Sequence, residues 1–217
     1  SLAPSSSRYD GYDMADVETC VPAGAAVDPR TMLRVVKSRR SVRDYLPNTI
    51  EQDTLRLVLE AGRYTATAKN AQGCRFIVVQ DELDELKRLV WDGIEGMLAL
   101  PAADKPRWVK LYKPFLVDAQ AGLQDFLFRN APAVAFVAAE RADDAGLAAQ
   151  NMELVAASLG LGALFNGYLC RAAEELPAVK AFLEAENKPL QICMLLGHPA
   201  VSYRRTAPRR AGDFVMK

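Results

Sequence analysis

"APAVAFVAAERADDAGLAAQNMELVAASLGLGALFNG", residues 131–167, is the stretch that decides the fold. Its opening segment 131–140 is apolar without a polar side, as a strand buried on both faces should be. Asp143 and Asp144 then open a helix, where carboxylates suit the positive end of the macrodipole. That helix runs through "GLAAQNMELVAASLG". Gly160 is placed to cap its C-terminus and Gly162 to allow a tight turn. Residues 163–167 follow as a second strand. Strand, helix and strand in succession mean a sheet packed by helices.

The same alternation extends outward in both directions. "RFIVVQD" (75–81) and "LQICMLLG" (190–197) read as two further buried strands. Asp28 and Pro29 start a first helix, with Met32, Leu33, Val35 and Val36 as its apolar side. Thr49 and Gln52 have the spacing of a capping box, followed by Leu55, Val58, Leu59 and Gly62 on one helical side. Asp81 starts another helix, a plausible helix covers 115–129, and 172–186 is helical with a break at Pro177. The chain is therefore a mixed α/β (α+β) protein with a central sheet covered on both faces. Residues 1–27, rich in Ser, Pro, Ala and Gly, read as a linker or extended arm, and 28–217 as the folded domain. The tail after 197 has no helical period, and no repeat is visible.

Composition narrows the function. The 217 residues carry 27 Lys+Arg and 27 Asp+Glu, so a general nucleic-acid binder is not expected. The four cysteines, at 20, 74, 170 and 193, show no CxxC spacing and the single histidine is His198, which leaves no metal-ligand cluster. Scattered cysteines, short apolar runs and no signal peptide point to a cytoplasmic protein without a membrane span. A Ser–His or Cys–His catalytic scheme would have to use His198, and no G-x-S-x-G accompanies it. The glycines at 160 and 162 do not complete GxGxxG, since Phe165 stands in the last position, and there is no P-loop.

Against this neutral background "KSRRSVRDY" (37–45) is a local surplus of cations: Lys37, Arg39, Arg40 and Arg43. Capping of the preceding helix accounts for one or two of them. A phosphate site accounts for more, because the guanidinium fork matches phosphate oxygens. A second cluster, Arg204, Arg205, Arg209 and Arg210, lies near the other end of the chain. "TATAKNAQGCRF" (65–76) reads either as a polar surface loop or as a ligand-lining loop, with Asn70 and Gln72 each offering an amide donor and acceptor.

In order, these pieces resemble the nitroreductase family of flavin enzymes. "SRRSVRDY" resembles its N-terminal Arg-Arg-Ser signature, and "EAGRYTATAKNAQGCRFIVVQD" its Asn-x-Gln loop block. "AAQNMELVAASLGLGALFNGYL" resembles the helix–turn–strand before the flavin ring, and "LLGHPAVSYRRTAPRR" the closing Gly-x-Pro and basic segment. The resemblance covers about 28–212. Ala66 departs from a common Pro, and Gly73-Cys74 from the usual Pro-Trp.

The resemblance implies a three-layer fold with a mostly antiparallel central sheet, an obligate homodimer, and FMN in each of two interface clefts. Carried over residue by residue, Arg39, Arg40, Ser41 and Arg43 would bind the FMN phosphate and its ribityl and pyrimidine edge. Thr67 and Asn70 would line the cleft, with Asn70 and Gln72 reaching it from the partner subunit. Asn166 and Gly167 would lie against the ring, where a backbone N–H can meet flavin N5. Arg205 and Arg209 would close on the phosphate, and the C-terminal tail would wrap the partner. No side chain is needed as a catalytic nucleophile, because the chemistry belongs to the flavin. The implied reaction passes a hydride from NAD(P)H through FMN to a nitroaromatic, quinone or similar acceptor. Segment 99–130 would be the lid that sets the substrate. Specialised relatives include dehalogenases, flavin-fragmenting enzymes and dehydrogenases of peptide-derived heterocycles. Other readings are an FMN-binding electron relay or sensor fed by a ferredoxin, and a non-flavin adaptor whose arginines are solvated. The chain begins with Ser, and the arm at 1–27 resembles the linker of members fused to an iron–sulfur ferredoxin module, so it is expected as the flavin part of such a fusion.

Overall fold

The computed structural model describes residues 17–123 and 125–217, so most of the expected arm lies outside the described residues. The chain divides into a unit ending at Arg34 and a compact unit from Val35 to Lys217. In the first, α1 is a single turn (Ala23–Ala26). Helix α2 (Pro29–Ser38) begins there, with the Asp28 carboxylate accepting from the Thr31 N–H at 2.8 Å. The cap is as expected, but no residue of α2 is buried.

The compact unit holds one sheet of four strands: β1 (Arg75–Val79), β2 (Ala133–Ala138), β3 (Gly162–Phe165) and β4 (Leu190–Gly197). The spatial order is β1-β2-β4-β3 and every pairing is antiparallel. Strand β2 is buried along its whole length, and its alternate residues enter two different cores. Val134 and Phe136 join Cys193 and Leu195 of β4 on one face, under α4 (Leu83–Ala99), α7 (Gly167–Glu175) and α8 (Pro177–Phe182). Ala133, Ala135 and Val137 join Met194 and Leu196 on the other, under α3 (Gln52–Arg63) and α6 (Ala142–Ser158). The period of two therefore builds the three layers. The second face is paved with alanine on strand and helix alike (Ala145, Ala149 and Ala156 of α6), which lets α6 lie close to the sheet.

The turn after α6 forms at Gly160 as expected, whereas Gly162, expected to allow a tight turn, is the first residue of β3. Gly160 has φ +80°, its N–H bonds to Ala157 O at 3.2 Å, and the Leu161 N–H bonds to Ala156 O at 2.9 Å. This is the paired carbonyl capping of a Schellman turn.

Several expected boundaries move. The Thr49–Gln52 capping box does not form: α3 starts at Gln52 without a side-chain cap. Instead the Gln80 amide grips both backbone groups of Ile50, at 2.9 and 3.0 Å. Asp81 does not cap α4, which begins at Leu83. The helix expected over 115–129 is the shorter α5 (Lys113–Gln120), following a 3₁₀ turn at Trp108–Tyr112. Gly122 at φ +66° ends it, and Arg129 and Asn130 at φ 50° and 54° turn the chain into β2. The helix expected from 172 starts five residues earlier, because Asn166 caps α7. Pro177 makes the expected break, with Leu176 extended before it and Pro at the start of α8.

Candidate functional site

The basic stretch is held against the free edge of β3. The Val42 N–H bonds to Ala163 O at 3.0 Å, and Ser41 pairs with Ala163 in a parallel bridge. A Cβ on Gly162 would stand 2.6 Å from Cγ2 of Val42, so the missing side chain is what admits this approach. Further along, the Ala200 N–H bonds to Asp44 O at 2.9 Å and the Leu46 N–H to His198 O at 2.8 Å. Residues 41–46 are thus clamped between β3 and the chain leaving β4.

That clamp brings the two arginine clusters together. Arg40 donates to the backbone O of Arg205 at 3.4 Å, and its guanidinium lies 4.3 Å from the centre of the Tyr203 ring. The Ser41 side chain has no hydrogen bond among the described residues. Arg209 is exposed and reaches its neighbour's carbonyl, Pro208 O, at 3.3 Å. Arg39 turns elsewhere, to a Glu153 carboxylate that is 4% exposed, at 3.4 Å. Glu153 also accepts from Gln150 at 2.8 Å.

A cavity of about 450 Å³ opens at the other end of β3. Arg43, Asn166 and Gly167 line it, with Tyr112, Phe126 and Arg129 from the expected lid segment opposite. Asn166 is buried and fully employed. Its Oδ1 caps the Leu169 N–H at 2.9 Å, and its Nδ2 donates to Leu127 O at 2.6 Å. Its backbone N–H bonds to Cys193 O at 2.8 Å. The residue therefore fastens the segment around 127 to the start of α7. Gly167, the first residue of α7, has no carbonyl a turn behind it to accept its N–H. Beyond its chain neighbours and its own helix backbone, no atom lies within 4 Å of where its Cβ would be. The result is a bare backbone donor at a helix N-terminus beside the cavity. Tyr112, whose hydroxyl donates to Tyr168 O at 2.8 Å, is pushed up to about 12 by burial and so stays a neutral donor.

The nitroreductase family model matches residues 36–198. The chain belongs to the nitroreductase family. Solved nitroreductases repeat its fold. An FMN-bound nitroreductase from Bacteroides fragilis is 24% identical, with a TM-score of 0.67, covering 85% of this chain and 97% of its own. An FMN-bound one from Desulfitobacterium hafniense is 21% identical, with a TM-score of 0.66, covering 86% and 98%. The FMN-dependent nitroreductase of Mycobacterium smegmatis in complex with NADPH is 20% identical, with a TM-score of 0.59, covering 80% and 90%. No curated protein sequence matches the chain.

The nitroreductase match contains every candidate residue except Arg205 and Arg209, which follow it. Thr67, Asn70 and Gln72 lie apart from the cavity of their own chain. Their loop is tightly turned: Lys69, Asn70 and Gln72 all have positive φ near 50°, and the Thr67 hydroxyl accepts from the Gln72 N–H at 2.9 Å. The sequence reading missed Glu153, although a carboxylate beyond the first turn of a largely apolar helix was a signal. It also missed Arg129 and Arg171, which no motif flags. Among the described residues no group of His, Cys, Asp or Glu could hold a metal, and no helix is long and apolar enough to cross a membrane.

Proposed function

We propose that this nitroreductase-family chain is an FMN-dependent oxidoreductase that takes two electrons from NAD(P)H and delivers them to a nitroaromatic, quinone or similar acceptor. The observation that carries the reading is the Arg40–Arg205 contact, which joins two cation clusters 165 residues apart in sequence. The same two segments carry the Ser41 hydroxyl, unbonded among the described residues, and the exposed Arg209 guanidinium. Such a group of forks and a hydroxyl suits a phosphate monoester. Gly167 supplies the second half of the fit: a flat ring can approach its backbone, and its free N–H can donate to a ring nitrogen. FMN, when bound, supplies the hydride chemistry.

The remaining work is done by the chain. Arg40, Ser41, Arg205 and Arg209 hold the phosphate, and Arg43 offers charge at the ring end, where it favours an anionic reduced ring. Arg39 supports the site from beneath by pairing with Glu153. Asn166 fixes the register of Gly167 and carries the lid segment. Thr67, Asn70 and Gln72 serve the cleft of the partner in a homodimer, which agrees with their absence from the cavity of their own subunit. The structural neighbours crystallised with FMN, and one with NADPH, support the choice of cofactor and donor.

Comparison of FMN with riboflavin tests the phosphate assignment. FMN should bind far more tightly, and Arg40→Gln with Arg205→Gln should bring its affinity down towards that of riboflavin. Equal affinities of the wild-type protein for the two flavins would remove the phosphate role from these residues.

A further inference from the structure

Three arginines reach the cavity from three elements: Arg43 from the basic stretch, Arg129 from the turn before β2, and Arg171 from α7. No acidic residue lines it. Among the described residues, none of the three arginines takes part in an ion pair. Arg43 donates to the carbonyl two residues back, Ser41 O, at 3.3 Å. Arg129 lies 4.4 Å from the centre of the Phe126 ring, and Arg171 5.9 Å from that of Trp108. Burial lowers the Arg129 pKa, and the nearby positive charge of Arg43 lowers it further, with Tyr45 and Asp125 compensating only in part. Like charges gathered around a recess whose lining holds no carboxylate make it electropositive, and an anionic ligand would be drawn to it.

The wall beside these cations is aromatic and rigid. Phe115 and Phe126 stack at 3.9 Å with only 10° between their planes. Tyr168 meets both edge-on, at 5.4 and 5.7 Å. Phe126 and Tyr168 face the cavity, and Tyr112 and Phe165, the latter 39% exposed, add their rings to its lining. Such a wall rewards a flat apolar ring. The volume suits a single small-molecule ligand.

We propose that this cavity is the acceptor site of the oxidoreductase and that it selects planar aromatic carboxylates. Arg129 and Arg171, helped by Arg43, read the carboxylate through their planar forks, and Phe126 and Tyr168 hold the ring. The inference rests on the flavin reading, since Gly167 borders both the proposed ring position and this cavity.

The test compares 4-nitrobenzoate with its neutral isostere 4-nitrobenzamide by calorimetric binding to FMN-loaded protein. The carboxylate should bind at least about tenfold more tightly, with the advantage shrinking as salt rises. Arg129→Gln with Arg171→Gln should remove most of that preference while the protein stays yellow and its melting temperature holds. Equal binding of the two probes to the wild-type protein would overturn the proposal. So would loss of FMN from the folded double variant, because the arginines would then belong to the cofactor phosphate. A chain that refuses FMN yet still prefers 4-nitrobenzoate in an Arg129- and Arg171-dependent way would keep the anion site and discard the flavin reading.

Discussion

Arg39 and Glu153 pair across 114 residues of sequence, at 3.4 Å, and this contact anchors the basic stretch to the middle of α6. Glu153 is nearly buried while Arg39 remains partly exposed, so the pair stands or falls with the arginine. Arg39→Ala should cost about 1–3 kcal/mol, since it strands a buried carboxylate. Arg39→Met combined with Glu153→Leu should recover much of that loss, because it removes both charges at once. Urea unfolding of the single and double variants measures the coupling. Simple additivity would show that the pair contributes nothing.

Gly162 is the point where the basic stretch meets β3. Gly162→Ala would drive a methyl group to 2.6 Å from Val42, and overpacking of this kind costs about 1–3 kcal/mol. Because Ser41 precedes Val42, FMN affinity should fall together with stability. A variant that melts lower but binds FMN as before would separate the β3 contact from the cofactor site.

Asn166 joins α7 to the segment at Leu127. Asn166→Ala removes a helix cap and leaves a buried carbonyl unpaired, for a loss of about 1–3 kcal/mol. Limited proteolysis should then cut near residues 121–130 well before the rest of the chain. Uniform resistance of that segment would argue that Asn166 does not hold it.

Asp125 accepts from the Phe128 N–H at 3.0 Å, yet burial raises its carboxyl above the ordinary value. A raised carboxyl favours the protonated form in the folded state, so its contribution is fully present at low pH and is lost as pH rises through the folded value. Asp125→Asn keeps an oxygen acceptor and cannot ionise. Its melting temperature relative to wild type should therefore be higher at pH 8 than at pH 4. The opposite trend would mean that Lys87 and Arg129 stabilise the charged form more than burial opposes it.

Cys170 and Cys193 are both buried, and burial raises both thiols, Cys170 to about 12. Neither should react with a disulfide reagent at neutral pH until the protein unfolds, whereas the exposed Cys20 should react at once. Mass spectrometry of the labelled peptides checks this residue by residue.

β2 was legible because burial on both faces left no polar residue to blur it, and β1 and β4 were legible as apolar runs despite Arg75 and Gln191. Both arginine clusters were legible as surpluses of charge, although their meeting through Arg40 and Arg205 is a tertiary fact. Asn166 was read as a ring neighbour, since Phe-Asn-Gly gives no hint of a cap bonded to a residue 39 positions away. Segment 99–130 was the least legible part. Its turn depends on Arg129 and Asn130 in left-handed conformations that their identities do not demand, and its aromatic wall has no helical period. The capping box at Thr49 was overruled by Gln80, an example of a distant side chain displacing a local one.

The central claim is tested most directly by the anaerobic visible spectrum of the full chain after incubation with FMN and removal of excess. The account predicts a yellow protein whose flavin absorption bleaches on addition of NADH or NADPH and returns when a quinone is added. A protein that stays colourless after incubation would contradict FMN binding, and one that is yellow but unbleached by either nucleotide would contradict NAD(P)H as its electron donor.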